Sequence, residues 1–216
     1  MNGILKISQK VKDIIKTTPI ISGMVTKEQV ALILDNLDKT LSSNIEGDIV
    51  ELGCNVGTTS IFIRKLLDTY HSNKKFHIYD SFEGLPPKLK EDESNSKIQY
   101  TEGHCKTSLE VFLKNFEIQN LTKPIINKGW FKEIDDSLYP EKISFAFFDG
   151  DFYSSIIDSF EKVYPKLSSG ARVIIHDYGW EALPGCKKAC DDFLEDKPEK
   201  IEMLQIGIGL MIKNDK

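Results

Sequence analysis

Two pairs of ionisable residues stand at the ends of two apolar runs. Asp149 and Asp151 follow Ile143-Ser144-Phe145-Ala146-Phe147-Phe148, and His176 and Asp177 follow the run from Ala171 to Ile175. Carboxylates and an imidazole are groups that move protons near neutral pH, provided the fold gathers them. The spacing predicts that it does. Each run has the length and composition of a buried strand. Between them Phe152, Ile156, Phe160, Val163 and Tyr164 recur at helical spacing up to Pro165, and Ser169-Gly170 reads as the turn into the second strand. Strand, helix and strand in this order form a right-handed crossover with parallel strands. If those strands are neighbours, their polar ends share the edge where open α/β sheets bind ligands, which sets all four side chains beside a bound cofactor.

The remaining elements must build that edge. At 216 residues, with 40% apolar and 28% charged side chains, the chain suits one α/β domain, residues 1–216, with no internal repeat. A net charge of −5 and no cluster of Lys and Arg argue against a nucleic-acid partner. Lysines and Asp13 break the N-terminal region before any apolar run reaches the length of a leader or a membrane span, so the sequence predicts a cytoplasmic protein. Cys54, Cys105, Cys186 and Cys190 lack CxxC spacing and read as reduced packing thiols.

Ile4, Ile7, Val11, Ile14 and Ile15 make one stripe of a helix ending before Pro19. With the loop that follows, it forms an N-terminal segment, residues 1–25, that packs on the domain or on a second copy, so a homodimer is one expectation. Thr26 N-caps a second helix reaching about Leu41. Asp48 to Leu52 reads as a short buried strand running into Gly53-Cys54-Asn55-Val56-Gly57-Thr58, a glycine turn opening a helix. Such a turn presents backbone N–H groups to a ligand, which makes Gly53, Asn55, Gly57 and Thr58 candidate cofactor contacts. A purely structural turn is the competing reading, and glycines four apart do not make a dinucleotide fingerprint.

Phe76 to Tyr79 is the next strand and ends at Asp80-Ser81. An acid there suits a ribose diol, or caps a turn. The stretch from Pro86 to Tyr100 is polar and reads as solvated and mobile, the kind of segment that closes over a substrate. Thr107 to Phe116 reads as a helix, and Pro124 to Asn127 as a brief strand leading into Lys128-Gly129-Trp130-Phe131. Trp130 there covers an adenine ring or, as large aromatics more often do, enters the core. Gly185 to Leu194 is a helix, and Ile201 to Leu204 with Ile208 to Ile212 a terminal hairpin.

With motifs at these positions, the chain from about Ser22 onward resembles the macrocin O-methyltransferase family, metal-dependent sugar methylases that act on macrolide and aminocoumarin antibiotics. The matching pieces are Met24-Val25-Thr26, Gly47 to Gly53, Asp80-Ser81-Phe82-Glu83-Gly84-Leu85-Pro86, Lys128 to Phe131, Asp149-Gly150-Asp151-Phe152-Tyr153-Ser154-Ser155, Asp177-Tyr178-Gly179 and Cys186 to Phe193. The resemblance implies a class I methyltransferase: a Rossmann-like αβα sandwich of about seven mostly parallel strands, order 3-2-1-4-5-7-6, with an antiparallel C-terminal hairpin. It implies S-adenosylmethionine as cofactor, with Glu51, Gly53, Asp80, Ser81 and Trp130 lining its site; Gly129 and the strand-tip Asp149 are further candidate cofactor contacts. It further implies Asp149 and Asp177 as metal ligands and Asp151 as general base.

His176 departs from the pattern, since the family normally carries an acid there. Mg²⁺ prefers oxygen ligands, whereas Asp149, His176 and Asp177 together make a two-carboxylate, one-imidazole set suited to Mn²⁺, Fe²⁺ or Zn²⁺. Alternatively His176 turns away and two carboxylates hold Mg²⁺, or no metal binds and His176 is the base. A divalent metal is the favoured reading, because acids crowded at strand tips otherwise repel. The expected reaction is O-methylation of a sugar hydroxyl. Its rivals are a catechol-type O-methyltransferase and a non-catalytic methyltransferase fold that binds a nucleotide or partner.

Overall fold

The computed structural model describes residues 7–214. Seven strands form one sheet in the order β3-β2-β1-β4-β5-β7-β6. They are β1 (Asp48–Leu52), β2 (Phe76–Asp80), β3 (Ile125–Lys128), β4 (Ile143–Phe148), β5 (Leu167–Ile175), β6 (Ile201–Met203) and β7 (Gly209–Ile212). The first five pair in parallel, while β7 runs antiparallel to both β5 and β6. This is the expected order and hairpin.

Helices cover both faces because the central strands are apolar on both. Phe145 and Phe147 of β4 enter the core on one face, and Ala146 and Phe148 the core on the other, as a period of two requires. The first face lies under α1 (Gln9–Thr17), α2 (Lys27–Ser42), α3 (Thr58–Thr69) and α4 (Leu109–Ile118). The second lies under α5 (Tyr153–Val163) and α6 (Pro184–Phe193). Each large side chain so buried contributes on the order of 1.5–3 kcal/mol. The helix starts follow local chemistry: Thr26 and Gln29 form a capping box at α2, and Ser108 caps α4.

Ile4 lies outside the described residues. Val11 and Ile14 of the same stripe are buried against the domain's own α2 and α3. Among the described residues no helix is long and apolar enough to cross a membrane. All four cysteines are free thiols, three of them buried.

Two expectations change. β5 begins at Leu167 and runs through Ser169-Gly170, because the Gly170 N–H donates to Lys213 O (2.8 Å) and Gly170, at φ +75, is absorbed as an irregularity in the ladder. The polar stretch from Pro86 to Tyr100 is anchored rather than loose. Asp92 within it is 1% exposed, and the Ser94 hydroxyl donates to Glu181 O (2.5 Å).

Gly53 fixes how closely β1 approaches β4 at the edge where the acids gather. At φ +89, a Cβ on it would lie 2.1 Å from Asp149 O. Gly53→Ala is therefore expected to cost about 2 kcal/mol or more of stability, read as a lower urea midpoint at unchanged slope. An unchanged midpoint would show that the close approach is not required.

Candidate active site

Asp149 and His176 are neighbours because the residues before them are: Phe148 pairs with Ile175, and the His176 N–H donates to Phe148 O (2.9 Å). The Asp149 N–H donates to Leu52 O (2.8 Å), tying the same tip to β1. Asp151 (φ +61) and Asp177 (φ +57) then bend the chain through the left-handed region, which a side-chain-bearing residue enters at a cost that clusters at functional sites. The two strand ends thus turn their acids toward one another.

His176 Nδ1 sits 3.0 Å from Asp149 Oδ1 and 2.7 Å from Asp177 Oδ2. The imidazole does not turn away. Burial opposes a charge on it, but the two carboxylates outweigh that and raise its pKa well above the ordinary histidine value. The two carboxylates thus favour a proton on the imidazole. Its Nε2 is buried without a partner. The Asp151 carboxyl is raised as well, but by different causes: burial first, then the charges of Asp149 and Asp177, lift it well above the usual range. One ligand atom from each of Asp149, His176 and Asp177 lies within 4.8 Å of the other two, so one cation can be reached by all three. Two carboxylates and an imidazole match the donor set of Mn²⁺, Fe²⁺ or Zn²⁺, and the residues fit a divalent metal.

The cluster opens into a cleft of about 420 Å³, within the range of small-molecule sites. Gly53, Asn55, Asp80, Ser81, Gly129, Trp130, Asp149, Asp151, His176 and Asp177 all line it. Glu51, Gly57 and Thr58 do not. Glu51 is fully buried, accepts from the Ser60 hydroxyl, and has its carboxyl pushed well above the usual range by burial. Gly57 opens α3 at φ +88, where a Cβ would meet the Phe112 ring at 2.9 Å, and Thr58 Oγ1 is 2.9 Å from Ser22 Oγ.

Asp80 has the part of a clamp. Its Oδ2 accepts from the N–H groups of Cys54 (2.8 Å) and Asn55 (2.9 Å), and its Oδ1 from Phe82 N–H (2.7 Å). Three backbone donors leave the carboxylate about one free lone-pair direction, so it can take one ribose hydroxyl rather than a whole diol. Ser81 accepts from Glu83 N–H, and the Asn55 amide donates to Cys105 O (2.6 Å). Trp130 is only half-buried and forms cleft wall, not core.

The sequence did not point to Tyr100, Lys132, Glu133, Asp158 or Trp180, which also line the cleft. Asp158 lies one helical turn beyond Ser154 on α5, so the i, i+4 spacing was a usable signal for it alone. The wall carries six acids, Asp80, Glu133, Asp149, Asp151, Asp158 and Asp177, against one lysine, Lys132. Its field favours cations.

Residues 7–209 match the macrocin-O-methyltransferase (TylF) family profile. The chain is similar to the 8-demethyl-8-(2,3-dimethoxy-alpha-L-rhamnosyl)-tetracenomycin-C 4'-O-methyltransferase of Streptomyces olivaceus, at 31% identity over 74% of this chain and 64% of that protein. It is also similar to the mycinamicin III 3''-O-methyltransferase of Micromonospora griseorubida, at 28% identity over 79% of this chain and 69% of that protein. The chain thus spans about two thirds of the length of these curated relatives. Among solved structures, the O-methyltransferase NovP superposes with a TM-score of 0.75 at 23% identity, covering 88% of this chain and 81% of its own. The calicheamicin methyltransferase CalS11 gives 0.72 at 17% identity, covering 96% and 91%. Both share the fold.

The clamp has a measurable consequence. Asp80→Ala strands the amides of Cys54, Asn55 and Phe82 and is expected to lower stability by about 1–3 kcal/mol in urea unfolding, with Asp80→Asn milder. No loss in either variant would contradict the clamp.

Proposed function

The chain belongs to the macrocin-O-methyltransferase family, and from that premise we propose that it transfers the methyl group of S-adenosylmethionine to a sugar hydroxyl of a glycoside, with a divalent metal at the strand-tip cluster. The observation that carries the proposal is the gathering of Asp149, Asp151, His176 and Asp177 at one end of the cleft. Membership alone would not place these groups together.

A sulfonium methyl group is already activated, so the protein's task is to align an acceptor oxygen with the S–CH₃ bond and remove its proton. The new O–C bond forms as C–S breaks. Gly53, Asn55, Asp80, Ser81, Gly129 and Trp130 form the wall we assign to the methyl donor: Asp80 accepts one ribose hydroxyl, Trp130 offers a ring face to adenine, and the surplus of acids favours the sulfonium charge. Asp149, His176 and Asp177 would hold the metal. When bound, it would supply Lewis acidity that lowers the pKa of a sugar hydroxyl. Asp151, whose carboxyl binds a proton more tightly than an ordinary one, accepts the hydroxyl proton. Glu51 supports the turn from behind.

Two outcomes are expected with S-adenosylmethionine, Mg²⁺ or Mn²⁺ and a panel of rhamnosides. Asp149→Ala and Asp177→Ala abolish transfer while S-adenosylhomocysteine binding, read by calorimetry, changes little; full activity in either would remove the metal assignment. Asp151→Asn lowers turnover about 10²-fold or more with metal affinity retained, and unchanged turnover would remove its role as base.

A further inference from the structure

Helices α5 and α6 both begin beside the cleft, and neither carries a capping side chain of its own: the N-cap positions, Phe152 and Leu183, make no side-chain hydrogen bond. Each start therefore leaves backbone N–H groups and positive dipole ends seeking a partner. At the α5 start a carboxylate from a distant part of the chain fills that place, and the same carboxylate lies against the α6 start. Asp92, in a short 3-10 turn over Lys90–Asp92, is 1% exposed. Its Oδ1 accepts from Tyr153 N–H at 2.7 Å, the first residue of α5, and its Oδ2 from Leu89 N–H at 3.0 Å. On the other side, a Cβ on Gly185, the second residue of α6, would lie 1.8 Å from Asp92 Oδ1. Only glycine there leaves room for the carboxylate.

We propose that Asp92 is a positioning residue that latches the loop of residues 86–105 across the starts of α5 and α6, and so sets the two sides of the acceptor end of the cleft against each other. One side is Asp151, two residues before the amide that Asp92 grips. The other is Tyr100, carried by the latched loop and lining the same cleft. An apolar cluster of Leu85, Phe152 and Leu183, with Tyr100 packed on it, continues the join between loop and helix starts, and the Ser94 hydroxyl on Glu181 O adds a second tie. Asp92 touches no reacting atom. The catalytic meaning of the latch rests on the methyltransfer reading above, whereas the latch itself does not.

The test compares wild type, Asp92→Asn and Gly185→Ala by amide hydrogen exchange on the full chain. Asn keeps the shape but provides one acceptor oxygen in place of two, and Ala displaces the carboxylate without removing it. Both variants are expected to exchange about tenfold faster or more in peptides covering 86–105 and 150–156, while β1 and the turn of residues 53–57 stay protected as in wild type. S-adenosylhomocysteine affinity should change less than about twofold, whereas KM for methyl α-L-rhamnopyranoside rises about tenfold. Unchanged exchange in both segments, or equal acceleration throughout the chain, overturns the latch. A rise in KM matched by an equal loss of S-adenosylhomocysteine affinity overturns the positioning role. If wild type binds no S-adenosylhomocysteine, the functional reading fails, and the exchange result still decides the latch.

Discussion

Carboxylates forced together in a partly buried place must be neutralised, and the register of β4 against β5 forces them together here. Pairing of Phe148 with Ile175 leaves no freedom in where Asp149 and His176 go, and the left-handed residues 151 and 177 close the circle. Burial, and then repulsion between the acids, raises the proton affinity of Asp151, and His176 Nδ1 sits between Asp149 and Asp177. A cluster that seats an imidazole between two acids is also one that a divalent ion can enter, since one ligand atom of each residue already converges on the others. The site's electrostatics follow from strand register rather than from any single residue.

The rest of the fold serves that placement. Apolar residues on both faces of β4 allow helices on both sides, which holds the strand rigidly enough to fix its last residue. Gly53 permits the close passage of β1 beside Asp149, and Asp80 ties the glycine turn to β2 on one side of the cleft. On the far side, the loop of residues 86–105 is joined to the starts of α5 and α6 by Asp92 and by the small cluster around Phe152. Few of these supports touch the cleft's contents, yet each determines where a lining group lies.

Much of this was legible in the sequence because it depends on local pattern. Apolar runs ending in acids gave the strands and the strand-tip residues, and Thr26 gave the start of α2. The strand order was implied by family resemblance, not by periodicity. What pattern does not encode is where a polar residue is taken after its own element ends. Glu51 is a charged residue yet is fully buried within β1; Trp130 had the bulk of a core residue and lines the cleft. The stretch from Pro86 to Tyr100 had a solvated composition, but a single buried carboxylate anchors it, and its partners lie about 60 and 90 positions further along the chain. Gly170, a strong turn signal, was overridden by hydrogen bonding to Lys213.

His176 is where this chain parts from the pattern its motifs otherwise follow, and it shifts the preference from Mg²⁺ toward ions that accept nitrogen. The central claim is that the strand-tip cluster holds one divalent ion. Anomalous diffraction from crystals grown with Mn²⁺ and S-adenosylhomocysteine tests it most directly. A single Mn²⁺ peak bonded to Asp149, His176 and Asp177 is the predicted result. No peak at saturating Mn²⁺, with the imidazole still bridging both carboxylates beside a bound nucleoside, would contradict it.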